Sequence, residues 1–445
     1  MILRFIVENI TSFKDALEFN TFPSSKSHNH DNHKVSCGHA TALRMAAIYG
    51  ANGAGKSNLI DTLHLLDAMV RNGSILGLGL ADVPFKFNDD NNNSSDISGL
   101  ALEFYYNGNV YYYHLEFSEK VIYLEELLLC NKNKDITIFR REGDDITVKG
   151  KFFSQRTNSV YLDTIKRMVR PDMLMLSFFG YYYPNESSYI TDAYRWFVFK
   201  LRIVKPQFVS GFVPHLLDTN KSFSDLVNAT IPELKTGIDK LVVKKDVLTE
   251  DVINNNPSLQ SVVKQAKDHP DEPQTYSEPF NSISYNIVYD SKQDVVYSKK
   301  IVPIHKRMDN SEVEMSMLSE SDGTRRLIEY MPLFYSVIQN GGVYVVDEIE
   351  RSIHPVLIKN IIKNLSDSTK ATGQLIFTTH ESCLLDQNIF RPDEIWFAQK
   401  DSEQATQLYP LSDFNIHHTA NIENGYLNGR YGGIPFLSNL KELHW

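Results

Sequence analysis

The sequence is poor in cysteine. It has three in 445 residues, Cys37, Cys130 and Cys383, odd in number and far apart. That excludes a disulfide framework and suits a reducing compartment. It also lacks long apolar runs, none approaching the roughly 20 residues of a membrane span. The opening stretch MILRFIVENITSFKD meets charge too early for a secretory leader. The expected location is cytoplasmic, with no membrane partner. Positive charge is in deficit: 45 Lys+Arg against 55 Asp+Glu give a formal charge of −10. A uniformly basic nucleic-acid-binding surface is therefore excluded, although a local patch is not. Compositional bias is absent too. With 42% hydrophobic and 22% charged residues, the chain is neither disordered, collagen-like nor dominated by coiled coil. No internal repeat interrupts it.

What is present is an alternation of short patterns. A prior of roughly 150 residues per domain allows about three units, or one large domain with an insertion. Residues 1–20 alternate as a strand pair turning near Ser12, and Ser24 to His33 reads as a polar loop. Arg44–Tyr49 is a short apolar run closed by glycine, a buried strand, and Asn58–Met69 follows with helical periodicity. Leu100–Tyr106 and Val110–Phe117 flank Asn107-Gly108-Asn109, a hairpin signal, and Val121–Leu129 predicts a third strand. From about 150 to 275 helical patterns recur, at Val160–Val169, Thr191–Val204, Phe223–Asn228 and Ile238–Val247. Asn281–Val302 returns to alternation. Beyond Ser316, helices predicted at Arg325–Gln339 and Pro355–Leu365 alternate with strands at Val343–Val346, Gln374–Thr378 and Glu394–Gln399, a parallel α/β pattern.

Gly50-Ala51-Asn52-Gly53-Ala54-Gly55-Lys56-Ser57 matches G-x-x-x-x-G-K-[ST] in full, between an apolar strand and a helix. The glycines let the backbone turn tightly and aim N–H groups at phosphate oxygens, and the helix start adds its positive dipole end. Asn52, Gly53, Ala54, Gly55, Lys56 and Ser57 are thus the expected ATP-binding residues, with Lys56 on the β- and γ-phosphates and Ser57 on Mg²⁺. ATP is favoured over GTP because the nearest guanine-type element, Asn131-Lys132-Asn133-Lys134, has lysine where aspartate is required.

The apolar strand Val343–Val346 ends in Asp347 and Glu348. Acids at the carboxyl end of a central parallel strand lie where open α/β sheets bind ligands. Asp347 is expected to hold the metal and Glu348 to act on the attacking water. The strand Gln374–Thr378 runs on through Thr379 to His380, a second catalytic candidate able to hydrogen-bond a γ-phosphate. Ser321 and the N–H of Gly323, opening an amphipathic helix, would make a second anion-binding helix start, although taken alone the segment is a common N-cap pattern. Three weaker signals read better as ordinary structure. These are the histidines 28, 30, 33 and 39 with Cys37, the aromatic cluster Phe178–Tyr183, and the basic stretch from Arg140 to Arg170.

In order and context, these elements resemble the ABC-type ATPase heads of the SMC, RecF and OLD group. The chain is most similar to stand-alone bacterial AAA-type ATPases of phage-defence and abortive-infection systems. The resemblance covers residues 1–130 and 300–445. Ser321-Asp322-Gly323-Thr324 resembles a degenerate signature loop, His380 the switch histidine, and Glu350–Pro355 the loop that touches a partner subunit. It implies an α/β P-loop NTPase of ABC-ATPase type, with a mixed central sheet, an antiparallel β lobe and a mostly helical insertion. Domains are expected at 1–130 (first ATPase lobe), 131–300 (insertion) and 301–445 (second lobe). It further implies a homodimer sandwiching two ATP molecules, each held by Lys56 of one subunit and Ser321/Gly323 of the other. The expected role is sensor or scaffold in an antiviral or toxin-type system with a separate effector. The alternative is a RecF/SMC-like DNA-repair ATPase, for which DNA or RNA is the candidate partner. One family residue is missing: residues 58–130 contain no glutamine to join Mg²⁺ to the attacking water. Glu103, Glu116 and Glu125 are the candidate replacements, and hydrolysis is expected to be slow or partner-dependent.

Overall fold

The computed structural model describes residues 1–87, 96–148, 165–184, 188–207, 210–270, 272–277, 284–417 and 420–434. The chain divides into two compact units. The first comprises Met1–Lys205, Val337–Ile349 and Ile361–Trp445; the second comprises Pro206–Ser336 and Glu350–Asn360.

In the first unit, one sheet of six strands carries the motifs. Its order is Leu201–Val204, Val343–Val346, Gln374–Thr378, Met45–Gly50, Ile395–Lys400 and Thr406–Pro410. All pairings are parallel except the last, which is antiparallel. Strands covered on both faces are apolar throughout rather than alternating. Every residue of Met45–Gly50 and of Gln374–Thr378 is accordingly buried. Buried Gln374 is the polar exception. Its side chain accepts from Ile2 N (2.7 Å) and donates to Leu43 O (2.8 Å) and Ile2 O (3.0 Å), tying the N-terminal strand to this sheet.

A second sheet, seven-stranded and antiparallel, runs Asp145–Val148, Ile136–Glu142, Ile122–Cys130, Asn109–Phe117, Ser98–Tyr106, Ile2–Glu8, Leu17–Asn20. The predicted hairpin is present. Asn107 (φ 47°) and Gly108 (φ 82°) take successive positive dihedrals, which match the right-handed twist of the flanking strands. The helix Lys56–Asn72 lies in the shared core, where Leu59, Leu63 and Leu66 pack with Phe5, Leu102 and Phe104 of the antiparallel sheet and Ile48, Val345 and Ile376 of the parallel one.

Several expectations are corrected. The antiparallel lobe does not stop at residue 130. Strands Ile136–Glu142 and Asp145–Val148 extend it, and Leu201–Val204 joins the parallel sheet, so the first unit runs to Lys205. Thr191–Val204 is helical only to Lys200 before becoming that strand. His33 is not in a solvated loop. It is fully buried, with Nδ1 2.8 Å from the Glu394 carboxylate and Nε2 3.0 Å from Ser366 Oγ. No group of three or more His, Cys, Asp or Glu side chains placed to hold a metal ion occurs among the described residues. Phe178 and Phe179 are core, whereas Tyr181 and Tyr182 are exposed. Arg141 is buried and donates to the carbonyls of Met173, Arg170 and Gly143, so the basic stretch is broken; Lys149, Lys151 and Arg156 lie outside the described residues.

The second unit contains a five-stranded sheet, in which Ile238–Val247 pairs antiparallel with Val295–Lys306 over nine positions. The predicted helix at Ile238–Val247 is therefore a strand. Its misleading signal has a physical source: a bulge at Asp239 inserts one residue into the ladder. Ile238 and Leu241, three apart, consequently both become buried, imitating helical spacing. Helix Pro257–Asp268 buries Leu259, Val263 and Ala266 against Tyr276, Ile287 and Val296 of this sheet.

Candidate phosphate-binding site

The six phosphate-loop residues predicted from sequence converge on one cavity of about 300 Å³. It is lined by Asn52, Gly53, Ala54, Gly55, Lys56, Ser57 and Asn58 together with Glu348 and His380. Lys56 and Glu348 come from segments 348 − 56 = 292 positions apart. The adjacency of their strands explains this, since Gln374–Thr378 lies between Met45–Gly50 and Val343–Val346 in the sheet. All lining residues belong to the first unit.

Gly55 (φ 101°) immediately precedes the first turn of helix Lys56–Asn72, so that helix directs its unpaired N-terminal amides at the cavity. Lys56 is nearly buried, and its Nζ donates to the carbonyls of Gly50 (2.8 Å) and Ala51 (3.1 Å), which lays the side chain along the loop. Behind the loop stand two residues that the sequence reading missed. Thr406 Oγ1 lies 3.0 Å from Ala54 O and 2.8 Å from Ser12 Oγ, and Thr406 N donates to Ser12 O (2.7 Å). No local motif marks them, because strand pairing alone brings them to the loop.

That brace has a measurable consequence. A methyl group on Gly55 would sit 2.1 Å from Thr406 Oγ1 and 2.9 Å from Ser12 Oγ, at a left-handed backbone position. Gly55→Ala is expected to cost about 2–4 kcal/mol from the two penalties together. The expected result is a lowered unfolding midpoint in thermal denaturation. An unchanged midpoint would mean that the brace is soft.

Asp347 is 6% exposed and is not among the residues that line the cavity, next to Glu348, which is. Its Oδ1 accepts from Thr378 Oγ1 at 2.5 Å, and the same hydroxyl accepts from Glu348 N at 2.8 Å. Glu348 has φ 50°, a left-handed backbone that is uncommon outside glycine. His380, two residues beyond Thr378, is exposed on the cavity wall.

Ser321 and Gly323 belong to the second unit. Ser321 caps helix Asp322–Tyr335, its hydroxyl accepting from Thr324 N (3.1 Å). Gly323 is glycine for a steric reason: a Cβ there would meet Ser352 O at 2.4 Å. The loop from Glu350 therefore packs directly on this helix start, within the same unit.

None of the three glutamates weighed as a replacement for the missing glutamine lines the cavity. Glu103 pairs with Arg4 (2.7 Å). Glu116 lies 3.7 Å from His114. Glu125 is fully buried, accepting from Met175 N (2.7 Å), Leu176 N (2.9 Å) and the Tyr113 hydroxyl (2.9 Å). Burial raises its pKa against those three hydrogen bonds. It serves as the N-terminal partner of helix Met175–Tyr182.

A phosphate loop on a central parallel strand, with two acids on the next strand but one and a histidine on the strand between, defines a P-loop ATPase fold. The chain belongs to the family described as "AAA domain, putative AbiEii toxin, Type IV TA system", whose model matches residues 45–386. No curated protein sequence matches it. Among solved structures it is similar to an SMC head bound to the C-winged helix domain of ScpA (12% identity, TM-score 0.41, covering 92% of this chain and 97% of that one). Another is the SMC head domain from Thermotoga maritima (13% identity, TM-score 0.40, covering 93% and 99%). A third is the Pyrococcus furiosus SMC head with an extended coiled coil bound to the C-terminal domain of ScpA (13%, TM-score 0.36, covering 92% and 96%). No helix among the described residues is long and apolar enough to cross a membrane.

Proposed function

We propose that this chain binds and hydrolyses ATP, and that its nucleotide state drives assembly with a second copy and with a separate effector in an antiviral or toxin-type system. The observation that carries the reading is the convergence of the phosphate loop, Glu348 and His380 on one cavity of about 300 Å³. In this reading the loop amides and Lys56 hold the triphosphate. Glu348 takes the proton of the attacking water, and His380 hydrogen-bonds the γ-phosphate. Ser57 and Asp347 offer a hydroxyl and a carboxylate, the hard oxygen donors that suit Mg²⁺, and these residues would hold it. Bound there, the ion would neutralise charge developing on the phosphates.

Ser321 and Gly323 are assigned to the ATP bound by the partner copy, giving two composite sites per homodimer. The 131–300 stretch is proposed to supply effector contacts beyond residue 205, since its earlier part completes the ATPase sheets. A cytoplasmic location accords with the three free cysteines. The DNA-repair alternative is less favoured. The matching family is the AbiEii-type one, and Arg140, Arg141 and Arg170 are engaged by Glu126, backbone carbonyls and Asp172 rather than left as a basic track.

The test is light scattering of the purified chain with and without ATP and Mg²⁺, alone and with the protein encoded beside it. A nucleotide-dependent dimer that recruits that neighbour is expected. ATP turnover stimulated by DNA, with no recruitment of that neighbour, would instead support the alternative, and a monomer under all conditions would count against the sandwich in either reading.

A further inference from the structure

Thr378 occupies an unusual position between the two acids. Its side chain is fully buried. A hydroxyl has one proton to give, and here the roles are fixed by the neighbours. Glu348 N–H can only donate to it (2.8 Å), so its own proton goes to Asp347 Oδ1 (2.5 Å). The Thr378 carbonyl accepts from Ile349 N (3.2 Å), so side chain and main chain of one residue grip the amides on either side of the Glu348 carbonyl. Glu348 itself is held at φ 50°. Sparsely populated backbone conformations persist where surrounding contacts over-determine them, and they cluster at functional sites.

We propose that Thr378 is the positioning residue of this site. Its hydroxyl orients the Asp347 carboxylate toward a divalent cation and fixes the left-handed turn that delivers Glu348 to the cavity. The inference rests on the ATP-binding reading above and adds a residue that the phosphate-loop and acidic-strand motifs do not contain. Because Thr378 shares a strand end with His380, it also links the acids to the histidine through two residues of backbone. Thr378 does not line the cavity, so nucleotide affinity without metal should not depend on it.

The test compares the wild type with Thr378→Val, which keeps the shape and removes the hydroxyl, and Thr378→Ser, which keeps the hydroxyl. Binding of a non-hydrolysable ATP analogue is measured by titration calorimetry in EDTA and across a Mg²⁺ series, alongside turnover. For Thr378→Val, affinity in EDTA should stay within about 3-fold of wild type. The Mg²⁺ concentration giving half-maximal enhancement should rise about 10-fold or more, and turnover should fall about 10- to 100-fold, the range of a lost positioning contact. Thr378→Ser should restore both to within about 3-fold. A wild-type Mg²⁺ response in the valine variant, or serine failing to rescue in a folded protein, overturns the inference while leaving the ATP-binding reading intact. If the wild type binds no analogue at all, the ATP-binding reading fails, and this inference with it.

Discussion

Lys56→Ala should weaken ATP binding by about 100-fold or more. A charge-assisted hydrogen bond contributes about 1.5–3 kcal/mol, and about 2.7 kcal/mol corresponds to 100-fold in affinity. Lys56 is the cation that lines the cavity, and its ammonium is held along the loop by the carbonyls of Gly50 and Ala51. It is thus oriented before ligand arrives, which reduces the entropy lost on binding. The alanine variant also leaves those two carbonyls without the ammonium, so its unfolding midpoint must be recorded beside calorimetric ATP titration. ATP binding at wild-type affinity in a folded variant would refute the phosphate-loop assignment.

Glu348→Gln should behave in the opposite manner: ATP still binds, and hydrolysis falls by about 100- to 10,000-fold, the usual effect of removing a general base. The substitution is nearly isosteric and leaves the Glu348 N–H to Thr378 Oγ1 bond available, so the turn at φ 50° should persist. With the triphosphate retained, an ATP-bound dimer should accumulate, visible as a doubled mass in light scattering. Turnover at the wild-type rate would remove Glu348 from the catalytic role. Lost turnover without a trapped dimer would count against the sandwich while sparing the chemistry. Together the two variants separate binding from hydrolysis, because Lys56 and Glu348 reach the cavity from different strands of one sheet.

Much of this site is legible along the chain because its parts are local. The phosphate loop works through consecutive backbone amides at one strand-to-helix turn, so eight adjacent residues encode it. Asp347 and Glu348 are announced by the apolar strand that ends on them, and Met45–Gly50 and Gln374–Thr378 by apolar runs too short for helices. The hairpin at Asn107-Gly108 is equally local, since two positive dihedrals in succession need those residue types. Where the sequence misled, the cause was a long-range event with a local imitation. Ile238 and Leu241 have helical spacing only because a bulge against Val295–Lys306 puts both on the buried side. His33 looked solvated among polar neighbours, yet the carboxylate that buries it, Glu394, is 361 positions away.

The sequence by itself determined which parts the candidate site is built from: a phosphate-loop motif, a pair of acids and a histidine, each written into a short segment whose conformation depends on near neighbours. Only the tertiary structure decided how those parts are held. Sheet pairing brings Thr406 and Ser12 behind Gly55, places Thr378 between Asp347 and Glu348, and adds residues 136–148 and 201–204 to the ATPase sheets. The physical reason is that side-chain periodicity encodes which face of a segment is buried, not which distant segment covers it. A threonine at a strand end carries no mark of its role until the adjacent strand presents it with a carboxylate and an amide.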